Sequence, residues 1–222
     1  MHEVVAEAKR ALESLSQTPQ GAHIKTGDVR SLSARLFRGV KGSPARAVFD
    51  VCTELLEQRS WALGVIAYDF AYRVKSAYDA DTFARFEGWL ERYVRGWGDC
   101  DDFCTHAFGE LICQQPQLAE RAFARVDREA FWMRRAAAVA LIPAIWHDVY
   151  PQMQPLRVAD ALMTDEDDLV RKGYGWMLKV LSTKEPGLVY DYLMRNQTVM
   201  PRVSYRYALE KMPADMKKAL ML

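Results

Sequence analysis

Four side chains from three separate segments have the chemistry to stabilise a positive charge. They are two tryptophans, one aspartate and one arginine: Trp97, Asp101, Arg135 and Trp176. A carboxylate attracts a cation directly, and the face of an indole ring attracts one through its quadrupole. A buried core rarely needs an aspartate close to a tryptophan. The set therefore suggests a site where positive charge is bound or develops.

The first of these segments is a short acidic stretch that runs from Gly96 to Asp102. Asp99 is predicted to be the N-cap of the next helix. Asp101 and Asp102 then fall in its first turn, where the helix dipole favours carboxylates. This structural interpretation accounts for all three acids. It leaves unexplained why a residue as large as Trp97 stands between two glycines in a turn.

The second segment, Phe131 to Ala138, places two arginines directly before a run of alanines. A guanidinium can hold a phosphate through two parallel hydrogen bonds. The alternative for Arg134 or Arg135 is an ion pair to a neighbouring helix, which is the commoner role of arginine in helical repeats.

The third segment, Arg171 to Met177, carries Gly173 and Gly175 inside a predicted helix. Each glycine costs about 1 kcal/mol relative to alanine at such a position. Two of them suggest that something approaches the backbone closely. The alternative is tight packing between helices, with Trp176 as a core residue.

The elements that position these segments are predicted to be helices throughout. Apolar residues recur at helical spacing, no long period-two alternation is present, and no Asn-Gly or Asp-Gly hairpin occurs. New apolar segments open roughly every 35 residues, a spacing typical of HEAT-like repeats. Most of these openings carry a proline, which is tolerated at the first helical position: Pro44, Pro116, Pro155 and Pro186.

The pattern predicts an all-α fold, a HEAT-like α-solenoid of stacked antiparallel helix pairs with one concave face. It favours a single domain over residues 1–222, in which 1–27 form an N-terminal helix and a loop, with the loop over Thr18–Asp28. The predicted pairs are Pro44–Arg59 with Trp61–Ser76, Asp81–Arg95 with Cys100–Gln114, Pro116–Arg128 with Phe131–Trp146, Pro155–Met163 with Asp168–Ser182, and Pro186–Asn196 with Val203–Met212.

Composition limits the possible classes of protein. The chain has 222 residues, 50% hydrophobic and 27% charged, with a net charge of +1, so it can bury a sizeable core. DNA affinity would have to come from charge gathered on one face. No apolar run reaches the length of a membrane span, and the charged N-terminus lacks the apolar core of a signal peptide. A cytoplasmic protein is expected.

The four cysteines are interpreted as free, mostly buried thiols of a reducing compartment: Cys52, Cys100, Cys104 and Cys113. A metal site that adds His106 to the last three is the alternative. Their spacing contains no C-x-x-C pair, and Cys100 and Cys113 cannot share a helical face with His106. No metal is expected.

Taken together, the three segments resemble the DNA alkylation repair family, the HEAT-repeat DNA glycosylases of the AlkD type. The resemblance covers roughly residues 28–212. It rests on W-x-x-x-D followed by Cys104 and Gly109, on W-x-x-R-A-A from Trp132, and on K-x-x-G-W from Lys172, with a similar closing repeat from Pro186 to Asn196. The order and spacing of the segments fit as a set, although no single motif is diagnostic.

The resemblance implies a monofunctional glycosylase that releases cationic alkylpurines, chiefly 3-methyladenine and 7-methylguanine, from duplex DNA. It implies that Asp101 is the catalytic carboxylate, that Trp97 and Trp176 flank the deoxyribose of the lesion, and that Arg135 holds the DNA backbone. No cofactor is expected, and the protein is expected to act as a monomer, nucleoid-associated when on DNA.

The implied chemistry is coherent with these residue types. Alkylation makes the purine a good leaving group, so the enzyme need not protonate it. Bond cleavage gives the sugar oxocarbenium character, which a carboxylate and two π faces stabilise. Asp101 is also suited to position the attacking water. Lys172 is the one lysine in the three motifs, so no lyase step through a Schiff base is expected.

Further cations would supply non-specific grip on the phosphates. The candidates are Arg73, Arg134, Lys172, Lys179, Arg202 and Arg206. Two other functions stay open at this stage: a non-catalytic HEAT protein that binds damaged or branched DNA, and a protein-interaction scaffold.

Overall fold

The computed structural model describes residues 2–16 and 24–221, and within these ranges it contains helices and no strand. The α-helices in chain order are α1 His2–Ser16, α2 Thr26–Leu36, α3 Ala45–Glu57, α4 Trp61–Arg73, α5 Thr82–Arg92, α6 Trp97–Thr105, α7 Ala107–Gln114, α8 Ala119–Phe123, α9 Phe131–Val139, α10 Ile142–Trp146, α11 Pro155–Ala161, α12 Asp168–Leu181, α13 Pro186–Asn196, α14 Arg202–Leu209 and α15 Ala214–Leu220.

The helices form two compact units that divide between Arg95 and Gly96. The core of the first unit is rich in aromatic rings. Phe49 of α3 packs on Phe86 and Trp89 of α5 at centroid distances of 5.4 and 5.9 Å. The Trp89 indole N–H donates to Thr53 Oγ1 at 3.1 Å. Aromatic packing and one hydrogen bond from the Trp89 indole therefore hold α5 against α3.

In the second unit, α6, α9, α12 and α14 pack on one another in that order. Helices α8, α11 and α13 lie against this series. Ala136, Ala137 and Ala138 are fully buried, and their small side chains let the neighbours of α9 approach closely. The expected fold class, an all-α α-solenoid of stacked helix pairs, is confirmed. A single domain over the whole chain stays a prediction.

Two of the predicted long helices are interrupted. The expected Cys100–Gln114 helix begins earlier, at Trp97, and breaks at His106, whose φ and ψ are −121° and −100°. The expected Phe131–Trp146 helix divides into α9 and α10. Pro143 lies in the first turn of α10, where its missing N–H does not cost a helical hydrogen bond.

Smaller differences concern the ends of helices. Pro44 is the N-cap of α3 and does not begin the helix, whereas Pro155 and Pro186 begin α11 and α13 as expected. The sequence pattern did not predict α15. At the N-terminus α1 is present, and the predicted loop falls largely on residues 17–23, outside the described residues. Its last part is helical, because α2 begins at Thr26.

No helix in the described part of the chain is long and apolar enough to cross a membrane. All four cysteines are free thiols, with Cys52, Cys100 and Cys104 buried and Cys113 partly exposed. Among the described residues no group of three or more His, Cys, Asp or Glu side chains could hold a metal ion.

Gly109, in the first turn of α7 after the break at His106, leaves no room for a side chain. A Cβ atom there would overlap the carbonyl oxygen of Cys104 and lie 2.6 Å from Cγ of Pro143. We expect Gly109→Ala to lower the free energy of unfolding by about 3 kcal/mol, the upper part of the range for overpacking. Urea denaturation would measure this.

The matched control is Gly27→Ala, since nothing lies within 4 Å of a Cβ atom at that helical position. It should leave stability unchanged or raise it by up to about 1 kcal/mol. Equal stabilities of the two variants would show that α7 does not depend on this contact.

Candidate active site

The centre of the candidate site is a two-fold hydrogen-bonded ion pair between α6 and α9. Arg135 Nε donates to Asp101 Oδ1 and Arg135 Nη2 donates to Asp101 Oδ2, both at 2.7 Å. The Arg135 side chain is 6% exposed and that of Asp101 18% exposed. Parallel bonds of this kind fix the plane of the carboxylate as well as its position.

A third helix completes the hold on Arg135. Its Nη1 donates to the backbone carbonyl of Leu169 on α12. A Cβ atom at Gly173 would lie 3.0 Å from Arg135 Cγ and 3.2 Å from Nη1. Gly173 therefore leaves the space through which the arginine passes. The guanidinium joins α6, α9 and α12 at one point.

Burial alone would lower the pKa of Arg135, but the hydrogen bonds and the negative charge of Asp101 raise it above its ordinary value. The guanidinium therefore remains cationic in its buried position. Its buried charge is compensated by one carboxylate and one carbonyl, which is the arrangement that a desolvated arginine requires.

Trp97 begins α6 and is 56% exposed. The N-cap is Gly96 and has no side-chain hydrogen bond, so Asp99 lies in the first turn and is not the predicted cap. Because the helix starts earlier than expected, Trp97 and Asp101 are four residues apart on one helix. This spacing places them on the same face.

Trp176 lies partly buried on α12, the helix that supplies Leu169 and Gly173. Gly175 has a different role from Gly173. A Cβ atom at this residue would lie 2.9 Å from Tyr207 Cβ and 3.0 Å from the backbone of Ser204, both on α14. The group that lies close to the backbone is thus the Arg135 side chain at Gly173 and the neighbouring helix α14 at Gly175.

Arg135 has partners within the protein, and the DNA-backbone contact that the family resemblance implied for it stays a prediction. Its guanidinium faces Asp101 and Leu169 in the interior, so the ion-pair interpretation describes what it contacts. Sequence analysis also missed the carbonyl of Leu169. No side-chain pattern could have revealed it, because a backbone acceptor is set by helix packing.

Two buried thiols lie beside the ion pair on α6. The sulphur atoms of Cys100 and Cys104 are 4.0 Å apart, and Cys100 also contacts the Trp132 carbonyl at 3.4 Å. Burial raises the pKa of Cys100 well above its ordinary value. The thiol is therefore neutral and packs as a small apolar side chain.

Three of the six cations expected to contact DNA form ion pairs within the protein. Arg73 donates to Asp69 at 2.8 Å, and Lys179 donates to Glu210. Arg134 donates from Nε and Nη2 to Asp165 at 2.5 and 3.2 Å. That hydrogen bond raises the pKa of Arg134. These side chains have structural partners, which the sequence did not reveal.

The other three are partly or fully exposed: Lys172 is partly buried, and Arg202 and Arg206 are exposed on α14. The two arginines line a surface cavity of about 520 Å³ together with Val203, Tyr207 and Glu210. Their contact with DNA stays a prediction.

The fold and site define a helical-repeat protein with an arginine-held carboxylate next to an exposed tryptophan. The family model described as DNA alkylation repair enzyme matches residues 17–212. The chain belongs to this family, which confirms the resemblance found in the sequence.

Solved structures agree with this fold. A predicted DNA alkylation repair enzyme from Enterococcus faecalis matches with a TM-score of 0.74 and 17% identity, covering 96% of each chain. The protein smu.31 from Streptococcus mutans UA159 matches with a TM-score of 0.65 and 16% identity, over 95% of this chain and 100% of its own.

AlkD2 from Streptococcus mutans matches with a TM-score of 0.63 and 16% identity, over 93% of this chain and 100% of its own. No curated protein matches the sequence. At these identities the structural matches establish the fold alone.

The ion pair should be energetically coupled. In a double-mutant cycle of Asp101→Ala and Arg135→Ala, we expect a coupling energy of about 2 kcal/mol, because the pair is desolvated and doubly hydrogen-bonded. Chemical denaturation of the four proteins would measure it.

The matched cycle uses the ion pair of Arg157 and Glu120, in which Nη1 and Oε1 are 2.7 Å apart. The two side chains are 43% and 66% exposed. Coupling there should be at most about 0.5 kcal/mol. If the coupling energy of Asp101 and Arg135 were no larger than that of this exposed pair, the claim that Arg135 fixes the carboxylate would be wrong.

Proposed function

We propose that this protein is a monofunctional DNA glycosylase that releases positively charged alkylpurines, such as 3-methyladenine and 7-methylguanine, from duplex DNA. The observation that carries the proposal is the Asp101 carboxylate, fixed by two 2.7 Å bonds from Arg135 on the same helix face as the exposed Trp97. The family membership supports action on alkylated DNA.

The ion pair suits the proposed reaction. Each carboxylate oxygen accepts one bond from Arg135 and keeps another lone pair for a second interaction. Asp101 therefore remains able to face an electron-poor sugar carbon or to accept a hydrogen bond from water. Because Arg135 fixes the carboxylate in advance, little reorganisation accompanies the development of charge.

The substrate itself supplies part of the driving force. An alkylated purine already carries a positive charge and leaves without being protonated, so the site needs no general acid. As the glycosidic bond breaks, positive charge moves onto the deoxyribose. The indoles of Trp97 and Trp176 are proposed to flank that sugar, and water completes the hydrolysis without a lyase step.

One observation favours a second candidate, a non-catalytic protein that binds damaged DNA. Arg135 compensates the charge of Asp101, so part of the carboxylate's electrostatic effect is already used within the protein. In that case the pair would serve mainly to hold α6, α9 and α12 together. The two candidates differ in base release and agree in DNA binding.

Base release from methylated duplex DNA tests the proposal, with Asp101→Asn measured beside the wild type. We expect the single-turnover rate constant to fall about 100- to 1000-fold, as when a preorganised electrostatic group is removed. The released bases would be identified by chromatography. A wild type that binds the DNA and releases no base would favour the non-catalytic candidate.

Asp165→Asn is the matched control, because Asp165 forms a similar ion pair with the adjacent Arg134. This variant should lose stability and keep its excision rate. If both variants lost activity equally, the effect would come from the fold and not from the carboxylate of Asp101.

Gly173 should act as a positioning residue for the same carboxylate. In Gly173→Ala the new methyl group would lie only 3.0 Å from Arg135 Cγ, so Arg135 would have to shift and would tilt Asp101 with it. We expect the single-turnover rate constant to fall at least about tenfold while Kd for DNA changes less than about twofold, since misplacement of a catalytic group is felt mainly in the rate.

Gly175→Ala provides the comparison within the same helix, since its methyl group would meet Ser204 and Tyr207 and not Arg135. It should lower the melting temperature and leave the rate constant at permissive temperature unchanged. Equal excision rates in the two glycine variants would argue against a positioning role for Gly173.

A further inference from the structure

Three arginine side chains converge at the C-terminal end of α5 in the first unit. Arg59 Nη1 and Arg95 Nη2 donate to the same acceptor, the carbonyl oxygen of Arg92, the latter at 2.6 Å. The guanidinium carbons of Arg59 and Arg92 lie 5.0 and 5.8 Å from the centroid of the Tyr93 ring. We call Arg59, Arg92 and Arg95 the arginine cluster.

No carboxylate pairs with Arg59 or Arg92 in the part of the chain that the structure describes, in contrast to Arg73, Arg134 and Lys179. Arg59 uses one of its five N–H donors and Arg92 uses none in any hydrogen bond of the described chain. All three side chains are exposed.

The backbone at Arg59 is itself unusual. Its φ is +56°, a left-handed conformation that residues other than glycine rarely adopt. This conformation, in the turn between α3 and α4, is the one in which the Arg59 side chain reaches the end of α5. The result is that a third cation is added to a place that already holds two.

Capping of α5 accounts for only part of this arrangement. The negative end of a helix dipole corresponds to roughly half an elementary charge. Arg95 already donates to the carbonyls of Glu91 and Arg92 in the last turn of α5, and to that of Val94 just beyond it. Arg59 and Arg92 therefore add positive charge and unused donors beyond what the helix needs.

We propose that the arginine cluster is a phosphate-binding site for the backbone of duplex DNA. Guanidinium groups bind phosphate oxygens through parallel hydrogen bonds, and the Tyr93 ring lies close to two of them. The choice of DNA as the ligand rests on the proposed function. The cluster would add phosphate contacts to those of the cations expected from the sequence, several of which are paired within the protein.

The test measures how DNA affinity depends on salt for Arg59→Gln combined with Arg92→Gln. The probe is an unmodified, fluorescently labelled duplex. Each lost phosphate contact should make the slope of log K against log salt shallower by about 0.9. For the double variant we expect this slope to be shallower by about 1.8 and the Kd for DNA to be roughly tenfold higher.

Arg95 is left in place because it caps α5. The control is Arg157→Gln combined with Arg195→Gln, which changes the net charge equally. Arg157 is paired with Glu120, and Arg195 contacts the carbonyl of its own helix at Asp191. This control should keep the wild-type slope. The double lysine variant of Arg59 and Arg92 should also keep it, because the charge is retained.

Base release measured on the same proteins separates the possible failures. An active wild type with equal slopes in the glutamine variant and the control would overturn the arginine cluster as a phosphate site and leave the glycosylase standing. An inactive wild type whose DNA binding still depends on the cluster would remove the proposed glycosylase and keep the site. A wild type with no salt-dependent DNA binding would overturn both.

Discussion

The buried pair of Asp101 and Arg135 is the interaction on which the rest of the second unit depends. Burying a guanidinium is costly unless its donors are satisfied, and here the acceptors come from two different helices. The pair therefore constrains α6, α9 and α12 together. Small residues make the constraint possible: Gly173 leaves room for the arginine, and Ala136 to Ala138 let the helices approach.

The same pair makes the carboxylate a fixed feature of the surface. Asp101 remains 18% exposed while both of its oxygens are held, so the helix core determines its orientation. Trp97 has the opposite character, since it is mostly exposed and packs little. A rigid acid beside an accessible ring is a suitable arrangement for stabilising a transient cation.

Many charged side chains of this protein form ion pairs with one another. The net charge is +1, and several cations on the second helices of the pairs bind aspartates or glutamates of the same or a neighbouring element. Affinity for a polyanion must then come from the few cations whose charge is left over. Arg59 and Arg92, together with the exposed Arg202 and Arg206, are such groups.

The all-α class, the order of the helix pairs and the family could be predicted from the amino-acid sequence, because helical periodicity and the ordered motifs from Trp97 to Trp176 are local signals. It also indicated that something lies close to Gly173 and Gly175. Tertiary structure alone decided the partners. The pairing of Arg135 with Asp101, of Arg134 with Asp165, and of Arg59 with the end of α5 depends on distances between residues some 30 positions apart. One-dimensional spacing fixes which helix face a side chain occupies, but only packing determines which charge it meets.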